Sequence, residues 1–152
     1  LCLVEIYGYN DPNARRHAVE MGIYLQMVNV LRDIQEDLSR NRIYLPTEEL
    51  TKFGITEEDL KSGKLSSSVG WQEFMRHYLD HVMAHRKNAL GLLSLLDKDA
   101  RYSPSLMCAA YDAILEEAMK RNGDVFTRRL TMSFYRKLQF ALGIIRKPRL
   151  NL

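Results

Sequence analysis

The strongest constraint on this chain is one long helical pattern, from about Pro12 to Ser39. Asn10-Asp11-Pro12 is a helix start: Asp11 can cap, and Pro12 suits a first turn, where no amide hydrogen bond is lost. Gly22 costs about 1 kcal/mol relative to Ala inside such a helix. A close helix neighbour or a bound ligand would explain it, and so would chance. Arg42-Ile43-Tyr44-Leu45-Pro46 ends the element, and the chain turns at Pro46.

Within this helix Asn29, Asp33 and Asp37 recur at i, i+4 and i+8. Each step of four rotates by only about 40°, so the three side chains form one ridge. Gln26 lies one turn earlier on nearly the same line. Two carboxylates and an amide oxygen form an all-oxygen surface of the kind Mg²⁺ accepts, together with substrate phosphates and water. The residues between them, Val28, Val30, Leu31, Ile34 and Leu38, are apolar, so much of the helix is expected to be buried. Two acids one turn apart on such a helix repel each other and resist desolvation, and a cation would relieve both costs. A plainer reading also fits: a solvated face whose acids pair with Arg32, Arg40 or Arg42.

The other segments read as helices too. Leu1 to Tyr9 reads as the end of a buried helix, broken at Gly8. Thr47 to Phe53 is a short helix with Gly54 as a left-handed stop. Thr56, followed by Glu57, Glu58 and Asp59, caps another that ends by Gly63. Lys61 to Ser68, polar and serine-rich, reads as an exposed loop and the most mobile part of the chain. Val69 to about Asp97 reads as a second long helix, with Trp71, Phe74, Tyr78, Val82 and His85 at helical spacing, continued by Ala89, Leu92, Leu93 and Leu96. His77, His81 and His85 share one line, but with no Cys and no His-Glu-x-x-His pattern they read as surface or interfacial histidines rather than a zinc site. Ser103-Pro104 repeats the cap-plus-proline start. That helix runs to about Asn122, is stopped by Gly123, and carries an apolar ridge of Leu106, Met107, Ala110, Ala113, Ile114 and Ala118 with Tyr111 among them. A final helix starts near Thr131 or Ser133 and runs to about Ile145, ahead of Pro148. Arg128, Arg129, Arg136 and Lys137 make its beginning basic, which suits either a solvated face or an anion site. The fold class is therefore all-α.

Composition narrows the function. At 152 residues, 46% hydrophobic and 27% charged, the chain suits one soluble domain with a real core. A net charge of +3 without charge blocks, and the absence of finger or RNA-recognition signatures, argue against nucleic acid as a partner. Cys2 and Cys108, without metal-ligand spacing, read as small apolar fillers in a reducing, cytoplasmic setting. No apolar run approaches the roughly 20 residues that cross a bilayer. No glycine-rich phosphate loop, nucleophile elbow or dinucleotide fingerprint is present.

The string Gln-x-x-Asn-x-x-Arg-Asp-x-x-Glu-Asp over 26–37, followed by Arg-x-Tyr-Leu-Pro over 42–46, resembles the second aspartate-rich motif of the squalene/phytoene synthase family. Glu5-Ile6-Tyr7-Gly8-Tyr9 resembles a segment of bacterial presqualene or hydroxysqualene diphosphate-forming members. The resemblance implies part of the isoprenoid synthase helical bundle, built around a central cavity. It implies head-to-head joining of two prenyl diphosphates, farnesyl or geranylgeranyl, by way of a cyclopropylcarbinyl diphosphate. It implies Mg²⁺ held by Asn29, Asp33 and Asp37, diphosphate binding by Gln26, Arg32, Tyr111 and Arg129, and catalytic roles for Arg32 and Tyr44. Met21, Leu25, Val28 and Met107 are candidates for the dry wall a carbocation needs. Val28 departs from the threonine more usual before Asn29.

The resemblance covers nearly the whole chain, but only the C-terminal half of the family's catalytic domain. Residues 1–152 are thus expected to form a single domain that is the C-terminal portion of such an enzyme. The family's first aspartate-rich motif is expected in the other half, and this chain alone is expected to lack useful synthase activity. The alternative is a non-catalytic homologue that packs against a partner helix bundle. A cytoplasmic location is expected; a lipid product would favour peripheral contact with a membrane, although no amphipathic anchor is evident in the sequence.

Overall fold

The structure, a computed structural model, describes residues 1–141. Its helices are α1 (Cys2–Tyr7), α2 (Asn13–Ser39), α3 (Thr47–Lys52), α4 (Glu57–Ser62), α5 (Val69–Leu90), α6 (Leu92–Leu95), α7 (Tyr102–Lys120) and α8 (Phe134–Ala141), with a 3₁₀ turn at Lys98–Ala100. Among the described residues the only extended pairing is an isolated antiparallel bridge between Tyr9 and Leu96.

Helix α2 is the axis of the fold and packs mainly on α5, then on α7 and α6. Its buried face is Met21, Tyr24, Val28, Leu31 and Ile34, which recur at helical spacing. Trp71, Phe74, Tyr78 and Val82 of α5 and Cys108, Leu115 and Ala118 of α7 meet it. Burying each large apolar side chain here contributes roughly 1.5–3 kcal/mol. An aromatic chain joins the core at the α3 end: Phe53 to Phe74 (centroids 5.8 Å), Phe74 to Trp71 (5.5 Å) and Trp71 to Phe126 (4.8 Å).

Polar contacts fix how the helices sit. The Tyr78 hydroxyl donates to the Met27 carbonyl at 3.2 Å. His85 Nδ1 meets Glu20 at 2.8 Å, and His17 Nδ1 meets the Asn88 carbonyl at 2.6 Å. Deeper in, Asp112 of α7 accepts from Arg86 of α5 at 2.7 and 2.8 Å and from the Tyr24 hydroxyl of α2 at 2.7 Å. One buried carboxylate thereby ties three helices together.

Several local expectations hold. Asp11 accepts from the Asn13 amide at 2.8 Å. Thr56 and Asp59 form a reciprocal capping box, and Gly63 closes α4 in the left-handed region. His77 and His85 sit against Glu49 and Glu20, as interfacial histidines do.

Other expectations are corrected. Helix α1 is only partly buried: Val4 is in the core and Tyr7 packs half-buried against it, while Leu1, Leu3 and Ile6 are exposed. Cys2 is exposed too, so only Cys108 is an apolar filler. The second long helix stops at Leu90 rather than near Asp97. Gly91 lies against the His17 ring, where a Cβ would come within 2.6 Å, and Leu96 turns extended to pair with Tyr9. The apolar stripe of α5 continues through Arg86, not His85. Ser103 does not cap α7, which starts at Tyr102; its hydroxyl pairs with that of Tyr7 at 3.1 Å. The 61–68 segment is anchored, with Leu65 buried and Ser66 bonded to Asp124. A Cβ on Gly22 would meet nothing within 4 Å, so no close neighbour explains that glycine. The expected helix end near Ile145 lies outside the described residues.

Candidate active site

The exposed face of α2 opposite the core carries the polar ridge. Gln26, Asn29, Arg32, Asp33, Asp37, Tyr44 and Arg129 line one open cleft of about 420 Å³, together with Val30, Glu36 and Arg40. The α2 spacing puts the first five there. Tyr44 arrives because the backbone folds back after Ser39: the Arg40 and Arg42 amides both donate to the Asp37 carbonyl, and Asn41 takes a positive φ of 55° between them. Arg129 arrives from a loop some 90 residues later, a juxtaposition made only by tertiary structure.

Asp33 is the electrostatic centre of the cleft. Arg32 donates to it from Nε at 3.0 Å and from Nη2 at 2.6 Å, and Arg129 Nη2 also bonds to it. The Arg32 hydrogen bond, helped by Arg129, holds the Asp33 carboxyl below its ordinary value against a partial burial that works the other way. The bond to Asp33 in turn raises Arg32, and the Tyr111 phenol adds a smaller push in the same direction. Tyr111 thus lies close to Arg32, though it is not among the residues lining the cleft. Arg129 also lies 3.6 Å from Glu36, which pairs with Arg40 at 2.8 Å. Of the other basic residues, Arg136 clasps Glu116 at 2.7 Å and Arg128 lies 3.6 Å from Glu117.

The donor set can be tested for a cation. Asn29 Oδ1 is buried and has no hydrogen-bond partner. An orphaned buried acceptor costs about 1–3 kcal/mol, so its presence is a reason to look for a missing donor or ion. Beside it are the carboxylates of Asp33 and Asp37, oxygen ligands suited to a hard cation. Among the described residues no three His, Cys, Asp or Glu side chains group to hold a metal ion. Two carboxylates and one amide are too few for a closed metal cage, so an ion held here would keep water or substrate oxygens in its shell. Met21 and Val28 are spent on the core, and Leu25 and Met107 are half-buried.

Sequence reasoning missed the Tyr24–Asp112–Arg86 cluster. The signal was present: Arg86 continues the apolar series Phe74, Tyr78, Val82 at steps of four, and Asp112 stands on the buried face of α7 with Cys108 and Leu115. A charge on an apolar ridge needs a buried partner.

Comparison with known proteins defines the class first. The fold is that of the all-helical isoprenoid synthases. The crystal structure of a squalene synthase from Alicyclobacillus acidocaldarius superposes with a TM-score of 0.73 at 25% identity, covering 80% of this chain and 45% of that one. A dehydrosqualene synthase, crystallised with a ligand, shares the fold at a TM-score of 0.70 over 84% of this chain and 44% of its own. The chain belongs to the squalene/phytoene synthase family, whose model matches residues 1–136. It is 36% identical to the 15-cis-phytoene synthase of Synechococcus elongatus over 84% of this chain and 41% of that protein. It is 33% identical to the phytoene synthase of Arthrospira platensis over 82% of this chain and 40% of that protein. The chain thus spans about two fifths of the length of these relatives.

Proposed function

We propose that this chain carries the diphosphate-binding ridge of an enzyme that joins two prenyl diphosphates head to head. The observation that carries the reading is the composition of one cleft: an acidic ridge with an unpartnered buried Asn29 oxygen, faced by a half-exposed cation, Arg129, on a separate loop. Asn29, Asp33 and Asp37 would hold Mg²⁺, with Gln26 assisting at the end of the ridge. When bound, Mg²⁺ neutralises charge developing on a departing diphosphate and orients it.

The chain's own residues supply the rest. Arg129, half exposed, can leave Asp33 and close on the diphosphate oxygens, where a guanidinium fork binds well. Arg32, more enclosed, keeps Asp33 ionised and aimed, with Tyr111 close beside Arg32. Tyr44 stands at the rim of the cleft, within reach of a reacting headgroup. In the reaction we propose, the allylic C–O bond of one substrate breaks and diphosphate leaves with the electron pair. The double bond of the second substrate attacks the resulting cation, and loss of a proton closes a cyclopropylcarbinyl diphosphate. The substrates are prenyl diphosphates, farnesyl or geranylgeranyl. We further propose that the chain is the C-terminal portion of a larger catalytic domain and is inactive alone, because a second acidic helix is needed to complete the metal cluster. Among the described residues no helix is long and apolar enough to cross a membrane. A cytoplasmic enzyme that meets the membrane surface to deliver its product fits the reading.

A second reading draws on the exposed Leu3 and Ile6 of α1 and Leu1 before it: a non-catalytic module that docks on a partner bundle. Calorimetry with a non-hydrolysable farnesyl diphosphate analogue separates the two. Binding that requires Mg²⁺ and disappears in the Asp33→Ala, Asp37→Ala variant supports the ridge. If neither this chain nor one extended upstream binds the analogue, the docking reading takes over.

A further inference from the structure

Among the residues that line the cleft, Arg129 is the one that α2 and its following turn do not supply, and its loop is well fastened. Val125 and Leu130 plug the core on either side of it, each about 1% exposed. The Trp71 indole donates to the Gly123 carbonyl at 2.9 Å. The Gln35 side-chain amide, on α2 itself, donates to the Phe126 carbonyl. Arg121 Nη1 donates to the Arg128 carbonyl at 3.0 Å, next to Arg129, while its other nitrogens hold Glu117.

At the centre is Asp124. Its Oδ1 accepts from the Phe126 and Thr127 amides at 3.1 Å each and from the Ser66 hydroxyl at 2.7 Å. Its Oδ2 accepts from the Thr127 hydroxyl at 2.6 Å. One carboxylate thus folds the turn that leads to Arg129 and joins it to the loop before α5. The loop is held by α2, α5 and the α4–α5 connection, and it presents Arg129 to the ridge of the same α2 that holds it.

We propose that Asp124 is a positioning residue for the diphosphate site: it sets the 123–130 loop so that Arg129 is delivered over Asp33 before any ligand arrives. The proposal rests on the reading of the cleft as a diphosphate site, and it adds a residue outside the acidic ridge, in the loop between α7 and α8. Preorganisation is the physical gain. An arginine already held in place loses less freedom on binding an anion than one on a loose loop.

Two measurements on the purified chain test it and separate it from the parent reading. The first uses ¹⁵N spectra of arginine side chains, with Arg129 assigned by its loss in Arg129→Lys. An ion-paired guanidinium rotates slowly and shows distinct Nη signals. These signals are expected to persist in Asp124→Asn, which still accepts from the turn amides, and to collapse to an average in Asp124→Ala. Unchanged Arg129 signals in Asp124→Ala overturn the proposal. Should that variant fail to fold, the Ser66→Ala, Thr127→Val double variant removes both hydroxyl donors; it is expected to broaden the signals, and no change again overturns the proposal.

The second measurement titrates inorganic diphosphate with Mg²⁺. Arg129→Ala and Asp124→Ala should each weaken binding about tenfold, the size of one charge-assisted hydrogen bond. The double variant should be no weaker than either single one, and Asp124→Asn should restore most of the affinity. Wild-type affinity in Asp124→Ala overturns the positioning role. If neither the wild-type chain nor one extended upstream binds diphosphate, the parent reading loses its support, while the ¹⁵N spectra still decide what Asp124 does.

Discussion

Asp112 and Asp33 are each gripped by an arginine and each tied to α2, yet they differ in almost every physical respect. Asp112 and Arg86 are sealed in the core, with side chains 3% and 7% exposed, and the Tyr24 hydroxyl completes the set. Asp33 sits at the surface, and Arg129 beside it is about half exposed. Water and salt screen the second cluster and hardly reach the first. The buried pair, once formed, is costly to break, because removing one partner strands a charge in the core. The exposed pair gains little stability and can exchange partners. The first suits a fixed joint between three helices, and the second suits a site whose arginine can exchange one anionic partner for another.

That contrast can be broken at either end. Asp112→Ala should destabilise the chain by about 3–5 kcal/mol in denaturant unfolding, since Arg86 is left buried and unpaired. Asp33→Ala should cost no more than about 1 kcal/mol in the same experiment while abolishing Mg²⁺-dependent binding of the diphosphate analogue. Equal stability losses in the two variants would erase the distinction.

Gly22→Ala, on the exposed face of α2 away from both clusters, should stabilise by up to about 1 kcal/mol, because nothing opposes the added methyl. Acid should reach the surface sites first. Partial burial opposes ionisation of Asp124, but its hydrogen bonds from Thr127, Ser66 and Phe126 outweigh it and pull the carboxyl down to about 2. A depressed carboxyl contributes stability above its ordinary value near 4 and loses it as pH falls. Unfolding midpoints should therefore drop between about pH 4 and pH 2, and Asp124→Asn should flatten part of that drop. The smallest effect is that of salt. Near 1 M NaCl, where screening acts over about 3 Å, the Arg129 side-chain signals should sharpen towards free rotation while those of Arg86 stay fixed.

Much of this was legible in the sequence. The i, i+4, i+8 ridge on α2, the end of that helix at Ser39, the Thr56 cap and the left-handed glycines are local matters of helix geometry and capping. They came through because the neighbours that decide them lie within a turn or two. Where a distant partner decides, the sequence misled. The helical pattern runs on past Gly91 to about Asp97, yet α5 stops at Leu90, with the His17 ring against that glycine. Ser103 looked like a cap until Tyr7 was found to claim its hydroxyl. Helix α1 looked buried because Leu1, Leu3 and Ile6 are apolar, but apolarity alone does not provide a covering surface.

What the sequence determined by itself is the all-helical class, the family and which side chains share the α2 ridge, because a 3.6-residue period places them without reference to anything else. What only the tertiary structure decided is which distant group joins them. Arg129 and Arg136 are alike in sequence, yet one meets Asp33 and the other Glu116. A pairing between charges some ninety residues apart depends on how three helices pack and on a loop fastened by Asp124, and neither is written in any local pattern.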